Sequence, residues 1–251
     1  MSSLVTLQQT IHTNTQPVIE RLNLLNWSHI DQTLNQQGWC VINSLFSTEE
    51  CLTTAAMYTN ESLYRKRIIM NNHGFGRGEY QYFRYPLPDL IAQLRTALYS
   101  HLQSIANQWN EAMNIDVRYP EQHKDFIDRC HQEGQNHPTP LILQYNAGDY
   151  NCLHQDLYGK HMFPLQASIL LSQPEQDFKG GEFVLTEQRP RMQSRAHVIP
   201  LSQGDALIFA VHQRPVQGSR SLYRVNLRHG VSEIRSGHRH TLGVIFHDAQ
   251  S

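Results

Sequence analysis

Hydrophobic positions follow two different periods along this 251-residue chain. In the first half they recur by threes and fours. Val18, Leu22 and Leu25 share that spacing, and Leu90, Leu94, Leu98, Leu102, Ile105 and Trp109 carry it through residues 89–115, which predicts a long amphipathic helix. Ser47 with Glu50 three residues on marks a helix start, and the short run Trp39-Cys40-Val41-Ile42 after Gly38 reads as a strand. Residues 70–88, rich in Gly, Asn and aromatics, read as loop and strand. From Pro138 onward the helical period disappears. Apolar runs at 141–145, 164–171, 182–185, 206–211, 222–227 and 241–246 are separated by turns that carry Gly148, Gly159, Gly180-Gly181, Gly204, Gly218 and Gly237. Short strands at regular spacing predict a β-sandwich or barrel. The expectation is an α+β protein with one domain over residues 1–251. Residues 1–137 give mostly helical support with short strands, and residues 138–249 form the β-core.

Composition excludes several classes. No run of 18 apolar residues exists, so no membrane-spanning helix is expected. Residues 1–9 lack the basic and apolar segments of a secretory leader. The four cysteines are far apart and form no C-x-x-C, which argues against a zinc-thiolate cluster or a disulfide scaffold and for a cytoplasmic protein. The net charge of −1 does not suit a general nucleic-acid coat. The charge is unevenly spread, however. Residues 180–240 hold nine Arg, no Lys and four acids, a surplus of five positive charges that points to an anionic ligand in the C-terminal third. Fifteen His make metal binding a chemistry to test.

The triplet H-x-D occurs three times. His29-Ile30-Asp31 and His123-Lys124-Asp125 lie in helical stretches, where residues two apart diverge by about 200°; both read as surface polar residues. His154-Gln155-Asp156 follows the strand at 141–145, and on extended backbone residues two apart face one side, so an imidazole and a carboxylate can meet at one ion. A third ligand must come from elsewhere. In the strand 222–231, His229 shares the apolar face with Val225 and Leu227, while Arg224 and Arg228 face away. A lone His on such a face is more often a core residue bonded to a neighbour. Joined to His154 and Asp156, it makes two nitrogens and one carboxylate with open positions, a set that suits non-haem Fe(II), with zinc as the competing metal. The residues 235–238 read as a hairpin turn that lays the next strand, with Arg239 and Thr241 on one face, beside the strand of His229. An Arg and a Thr hydroxyl there can hold a carboxylate.

These residues resemble the Fe(II)- and 2-oxoglutarate-dependent dioxygenases: H-x-D, a His 75 residues later and an Arg ten beyond that, within about residues 140–248. Phe178-Lys179-Gly180-Gly181-Glu182-Phe183, the run 200–209 and His229-Gly230-Val231 are similar to the prolyl-hydroxylase type. Gln144-Tyr145 and the His-Gln-Asp spelling are similar to the AlkB type. The run 154–159, Phe163-Pro164-Leu165-Gln166, the run 187–195 and the run 242–249 resemble a bacterial family grouped with nucleic-acid-oxidising oxygenases. The resemblance implies a double-stranded β-helix (jelly-roll or cupin-like) core. It implies His154, Asp156 and His229 as metal ligands, and Arg239, Tyr145 and Thr241 as the 2-oxoglutarate site. It also implies Fe(II), 2-oxoglutarate and O2 as the reacting set, with ascorbate as a supporting reductant. Ile245 stands where AlkB-type enzymes carry a second Arg. The implied reaction is hydroxylation of a C–H bond; on an N-methyl group of damaged nucleic acid it is demethylation. A protein (prolyl-type) or small-molecule substrate is the alternative, and a non-catalytic cupin-like metal-binding protein is the alternative of another class. Arg189, Arg191 and Arg195, with Arg214 and Arg220, could contact phosphates, and Tyr82 with Tyr80, Phe83 and Tyr85 could meet an unpaired base.

Overall fold

The computed structural model of the chain describes residues 16–157, 159–219 and 221–251. The reading of residues 1–9 as lacking a leader, and the phosphate reading of Arg220, fall outside the described residues. The first half supplies helices α1 (Val18–Asn23), α2 (Trp27–Gln37), α3 (Thr48–Ala56), α4 (Asp89–Ala112) and α5 (His123–Gln132), with strands β1 (Trp39–Ile42), β2 (Tyr64–Ile69), β3 (Gly76–Arg77) and β4 (Glu79–Phe83) between them. The second half is all strand: β5 (Leu141–Asn146), β6 (Tyr150–His154), β7 (Leu165–Leu170), β8 (Phe178–Gly180) and β9 (Phe183–Gln188), then β10 (Ser194–Ile199), β11 (Ala206–Ala210), β12 (Gln213–Gln217), β13 (Leu222–Val231) and β14 (Ile234–Val244). No described helix is long and apolar enough to cross a membrane.

The strands form two antiparallel sheets. The larger has eight strands in the order β1-β11-β7-β14-β5-β4-β2, with β8 on β14; the smaller has six in the order β10-β9-β13-β6-β3, with β12 also on β13. The first half thus gives strands as well as helices: β1 and the β2–β4 pair close the two edges of the larger sheet. β7 and β11 are buried at every position, as befits central strands covered on both faces. The stripe Leu94, Leu98, Leu102 and Ile105 of α4 joins the same apolar cluster as Leu165, Ile169 and Leu207. The predicted start of α3 is present as a capping box: Ser47 accepts from the Glu50 amide at 3.1 Å, and the Glu50 carboxylate accepts from the Ser47 amide at 2.7 Å.

Two sequence expectations need correction. β13 and β14 are joined by Ser232 and Glu233 alone, yet they are not hairpin partners: β13 pairs with β9, β12 and β6, whereas β14 pairs with β5, β7 and β8 of the opposite sheet. The chain crosses between sheets at 232–233, and residues 236–237, expected to form the turn, pair with β8. Arg239 therefore faces His229 across the sandwich instead of standing beside it. His123, expected at the surface, is buried and its Nε2 lies 2.8 Å from the Phe246 carbonyl.

Candidate metal centre and active site

His154 and His229 come from strands far apart in sequence but are direct cross-strand partners of β6 and β13. Directly opposed residues of an antiparallel pair point to the same face, so both imidazoles enter the sandwich together, with ring centroids 4.2 Å apart. Alternation along β13 fixes the choice: Val225, Leu227 and His229 are buried, and Leu222, Arg224, Asn226 and Arg228 are exposed. Asp156 lies past the end of β6, so the shared-face argument for His154 and Asp156 does not hold as stated. The chain leaving the strand returns the carboxylate to the two rings. Asp156 Oδ1 is 3.5 Å from His154 Nε2, and Oδ2 is 3.4 Å from His229 Nε2.

This donor set fits a metal ion. The three donor atoms lie within 4.8 Å of one another. Ligands about 2.1 Å from one ion at right angles stand about 3 Å apart, close to the distances seen here. His154 Nδ1 faces the Cys152 carbonyl at 2.8 Å, which places the proton on Nδ1 and leaves the Nε2 lone pair for the centre. Burial works against ionisation of Asp156, but the two histidines beside it prevail and hold its carboxyl well below the usual range. Burial pushes the His229 ring down; at His154 burial is outweighed by the Asp156 carboxylate, which raises it. Phe183 stacks parallel to His229 and Phe209 packs against it, fixing the ring.

A cavity of about 290 Å³ opens on the triad. Its far side carries Arg239, Thr241 and Tyr145. Arg239 is 2% exposed and meets no carboxylate: Nη1 donates to Thr241 Oγ1 at 2.6 Å and Nε has no partner. Burial lowers its pKa to about 10. The Tyr145 hydroxyl is buried beside Asn151 but makes no well-formed hydrogen bond. β14, β5 and β4 align these groups, since Thr241 opposes Leu143 and Leu143 opposes Tyr80. Tyr80 and Tyr82 form the next part of the wall, 5.3 Å apart and edge to face. A buried guanidinium with no ion pair among the described residues, facing three metal-type donors over a small cavity, is the chemistry of a site for a carboxylate that also reaches a metal.

The other residues singled out from sequence fall elsewhere. Arg189, Arg191 and Arg195 are exposed at the β9–β10 turn and do not line the cavity. Arg214 is buried and paired with Glu187 at 2.6 Å, so it has no free charge for a phosphate; its burial in strand β12, on the inner side of α2, was not visible from the sequence. Phe83 is core, and the Tyr85 hydroxyl donates to Asp248 at 2.8 Å. Asp248 also pairs with Arg95 and His131, each at 2.8 Å, far from any ligand role. Sequence reasoning missed Phe75, Asn151 and Gln155 as lining residues. Gln155 was hidden inside the motif, where its side chain donates to the Leu227 carbonyl at 2.7 Å and ties the metal loop to β13.

Two antiparallel sheets enclosing a His-Asp-His cluster define a β-sandwich protein with a candidate metal centre. Residues 78–249 match the family Oxygenase-NA, described as an oxygenase catalysing oxidative methylation of damaged DNA. The chain belongs to this family. Two proteins of Mycobacterium tuberculosis, from strains CDC 1551 and H37Rv and both of uncharacterized activity, are 47% identical to it over 167 residues, covering 66% of this chain and 72% of theirs. Among solved structures, a prolyl-4-hydroxylase from Pseudomonas putida superposes with a TM-score of 0.52 at 13% identity, covering 90% of this chain and 100% of that one. A 2OG-Fe(II) oxygenase family oxidoreductase from Burkholderia pseudomallei gives 0.50 at 15% identity, covering 90% and 94%. These two likenesses are of fold.

Proposed function

We propose that the protein is an Fe(II)- and 2-oxoglutarate-dependent dioxygenase that hydroxylates an N-methyl group on a damaged nucleic-acid base, so that the product breaks down to the unmethylated base, still in its strand, and formaldehyde. The observation that carries the reading is Arg239: a buried cation that forms no ion pair among the described residues, in the same cavity as His154, Asp156 and His229. The two sheets are read as a double-stranded β-helix, with residues 138–249 as its catalytic core within a single domain over 1–251. All four cysteines are free, which supports a cytoplasmic setting.

Fe(II) held by His154, Asp156 and His229 would supply activation of O2, coupled to conversion of 2-oxoglutarate to succinate and CO2. The chain's own groups do the rest. Arg239, steadied by Thr241, takes the distal carboxylate of the co-substrate, and the Tyr145 hydroxyl donates a further hydrogen bond to it. Cys152 and Gln155 act through backbone and amide bonds that keep the metal ligands in place. Phe183, Phe209, Leu141 and Leu143 keep water from the reacting atoms. Tyr80 and Tyr82 offer flat rings against which a base can lie on its way to the metal. The test is formaldehyde release from N-methylated oligonucleotides, compared with hydroxylation of proline-containing peptides. Formaldehyde in amounts matching succinate supports the reading; turnover stimulated by the peptides alone replaces the substrate.

A further inference from the structure

The cavity wall does not stop at the cavity. Thr241 and Gly243 on β14 oppose Leu143 and Leu141 on β5, which oppose Tyr80 and Tyr82 on β4. These in turn oppose Ile68 and Lys66 on β2, the last strand of the sheet. Directly paired residues share a face, so the row Gly243, Leu141, Tyr82, Lys66 runs from the site to the open edge, with neighbouring Cβ atoms about 5 Å apart. Lys66 is exposed. The β2–β4 ladder continues one step past β4, because the Arg84 amide donates to the Leu63 carbonyl at 2.9 Å. Arg84 is also exposed and follows β4 directly, two residues after Tyr82. Between Tyr64 and Lys66 the register slips, and the extra residue, Arg65, places its guanidinium 4.7 Å from the centre of the Tyr82 ring, with Nη2 buried and unpartnered. Arg65, which also donates from Nε to the Pro138 carbonyl at 3.0 Å, thus packs on the Tyr82 ring at the cavity rim, Lys66 is the cross-strand partner of Tyr82, and neither Lys66 nor Arg84 forms an ion pair among the described residues. The nearby acid Glu79 is taken by Arg67 and Tyr58.

From this geometry we infer that the β2–β4 edge is where an unpaired nucleic-acid strand lies, with Lys66 and Arg84 on successive phosphates and Arg65 holding Tyr82 as the wall along which the base enters. The inference rests on the nucleic-acid reading above and gives it a surface. It differs from a contact through the β9–β10 turn, where Arg189 already sits 4.0 Å from Glu187 and Arg195 is the cross-strand partner of Glu187. A nucleic acid fits better than an acidic peptide because two tyrosine rings separate the cations from the metal ligands.

The test is fluorescence anisotropy of a short, single-stranded, N-methylated oligonucleotide with the full-length protein over a range of salt. Replacing both Lys66→Gln and Arg84→Gln should weaken binding at least tenfold at low salt and flatten the log–log salt slope by about 1.4, or about 0.7 for each phosphate no longer neutralised. The pair Lys66→Arg and Arg84→Lys should keep the wild-type slope. Arg189→Gln with Arg191→Gln should change it by less than half as much. Wild-type binding abolished only in the Arg189 and Arg191 variant overturns the edge and leaves the nucleic-acid reading intact. A wild type that shows no salt-dependent binding overturns both. A polyglutamate peptide that competes as well as the oligonucleotide overturns the choice of ligand.

Discussion

Replacing Arg239 by methionine should make the ligand-free protein more stable and blind to 2-oxoglutarate. Burial lowers the guanidinium to about 10, and at about 1.4 kcal/mol per pH unit the charged form carries a folding penalty of about 3 kcal/mol. No carboxylate hydrogen-bonds to it among the described residues, and the more distant Glu182 offsets only part of the burial. The hydrogen bond from Nη1 to Thr241 returns about 1 kcal/mol, which the variant loses. Methionine follows the same path through the core without the charge. The net gain of about 2 kcal/mol corresponds to a rise of roughly 4–8 °C in melting temperature for a chain of this size. Ligand binding should move the other way. Truncating one partner of a buried charge pair costs about 2–5 kcal/mol, so the dissociation constant for 2-oxoglutarate should rise at least about thirtyfold. Thermal melts with metal ion under argon, with and without 2-oxoglutarate, read both effects. The reasoning is refuted if the variant melts below wild type without ligand, or if it keeps the wild-type shift with 2-oxoglutarate.

Further outcomes follow from other parts of the structure. Burial, helped by the Arg95 charge, lowers both His123 and His247 from 6.5 to about 4. The unfolded chain protonates first, so stability present above pH 6.5 should fall between pH 6.5 and 4, by up to about 3 kcal/mol for each ring. Denaturant melts at pH 7.5 and 5 should show this loss, and His123→Gln should shrink it; an unchanged pH profile in the variant would count against it. Gly78 has φ +110°, and a Cβ there would sit 2.7 Å from the Tyr145 ring and 3.2 Å from the Gln144 carbonyl. Gly78→Ala should cost about 1–3 kcal/mol of stability and also weaken 2-oxoglutarate binding, as read by calorimetry. His229→Ala should abolish stoichiometric binding of Mn(II) in place of iron, while His197→Ala, outside the triad, should retain it.

What was legible in the sequence was local. Period and turn signals located α4 and six of the ten strands of the second half (β5, β7, β9, β11, β13 and β14), and alternation placed His229 on the buried face of β13; the short or polar strands β6, β8, β10 and β12 carry too little apolar pattern to be seen. The pairing of His154 with His229 is a long-range register, and sequence could suggest it only by chemistry. The two-residue link at 232–233 looks like the approach to a hairpin, because no local signal separates a turn within one sheet from a crossing between two. That crossing is what sets Arg239 opposite the metal ligands. Arg214 was misread for a related reason: its acid, Glu187, lies 27 residues away, so the charge looked free along the chain. The cations of the β2–β4 edge escaped notice because Lys66 and Arg65 come to Tyr82 only once those strands pair.

Succinate formation from 2-oxoglutarate tests the central claim most directly, measured in air with Fe(II) and ascorbate for wild type and His154→Ala. The account predicts iron-dependent succinate from the wild type, even without substrate, and none above background from the variant. Equal rates in the two proteins, or no iron-dependent succinate from the wild type even with methylated oligonucleotides and prolyl peptides present, would contradict it.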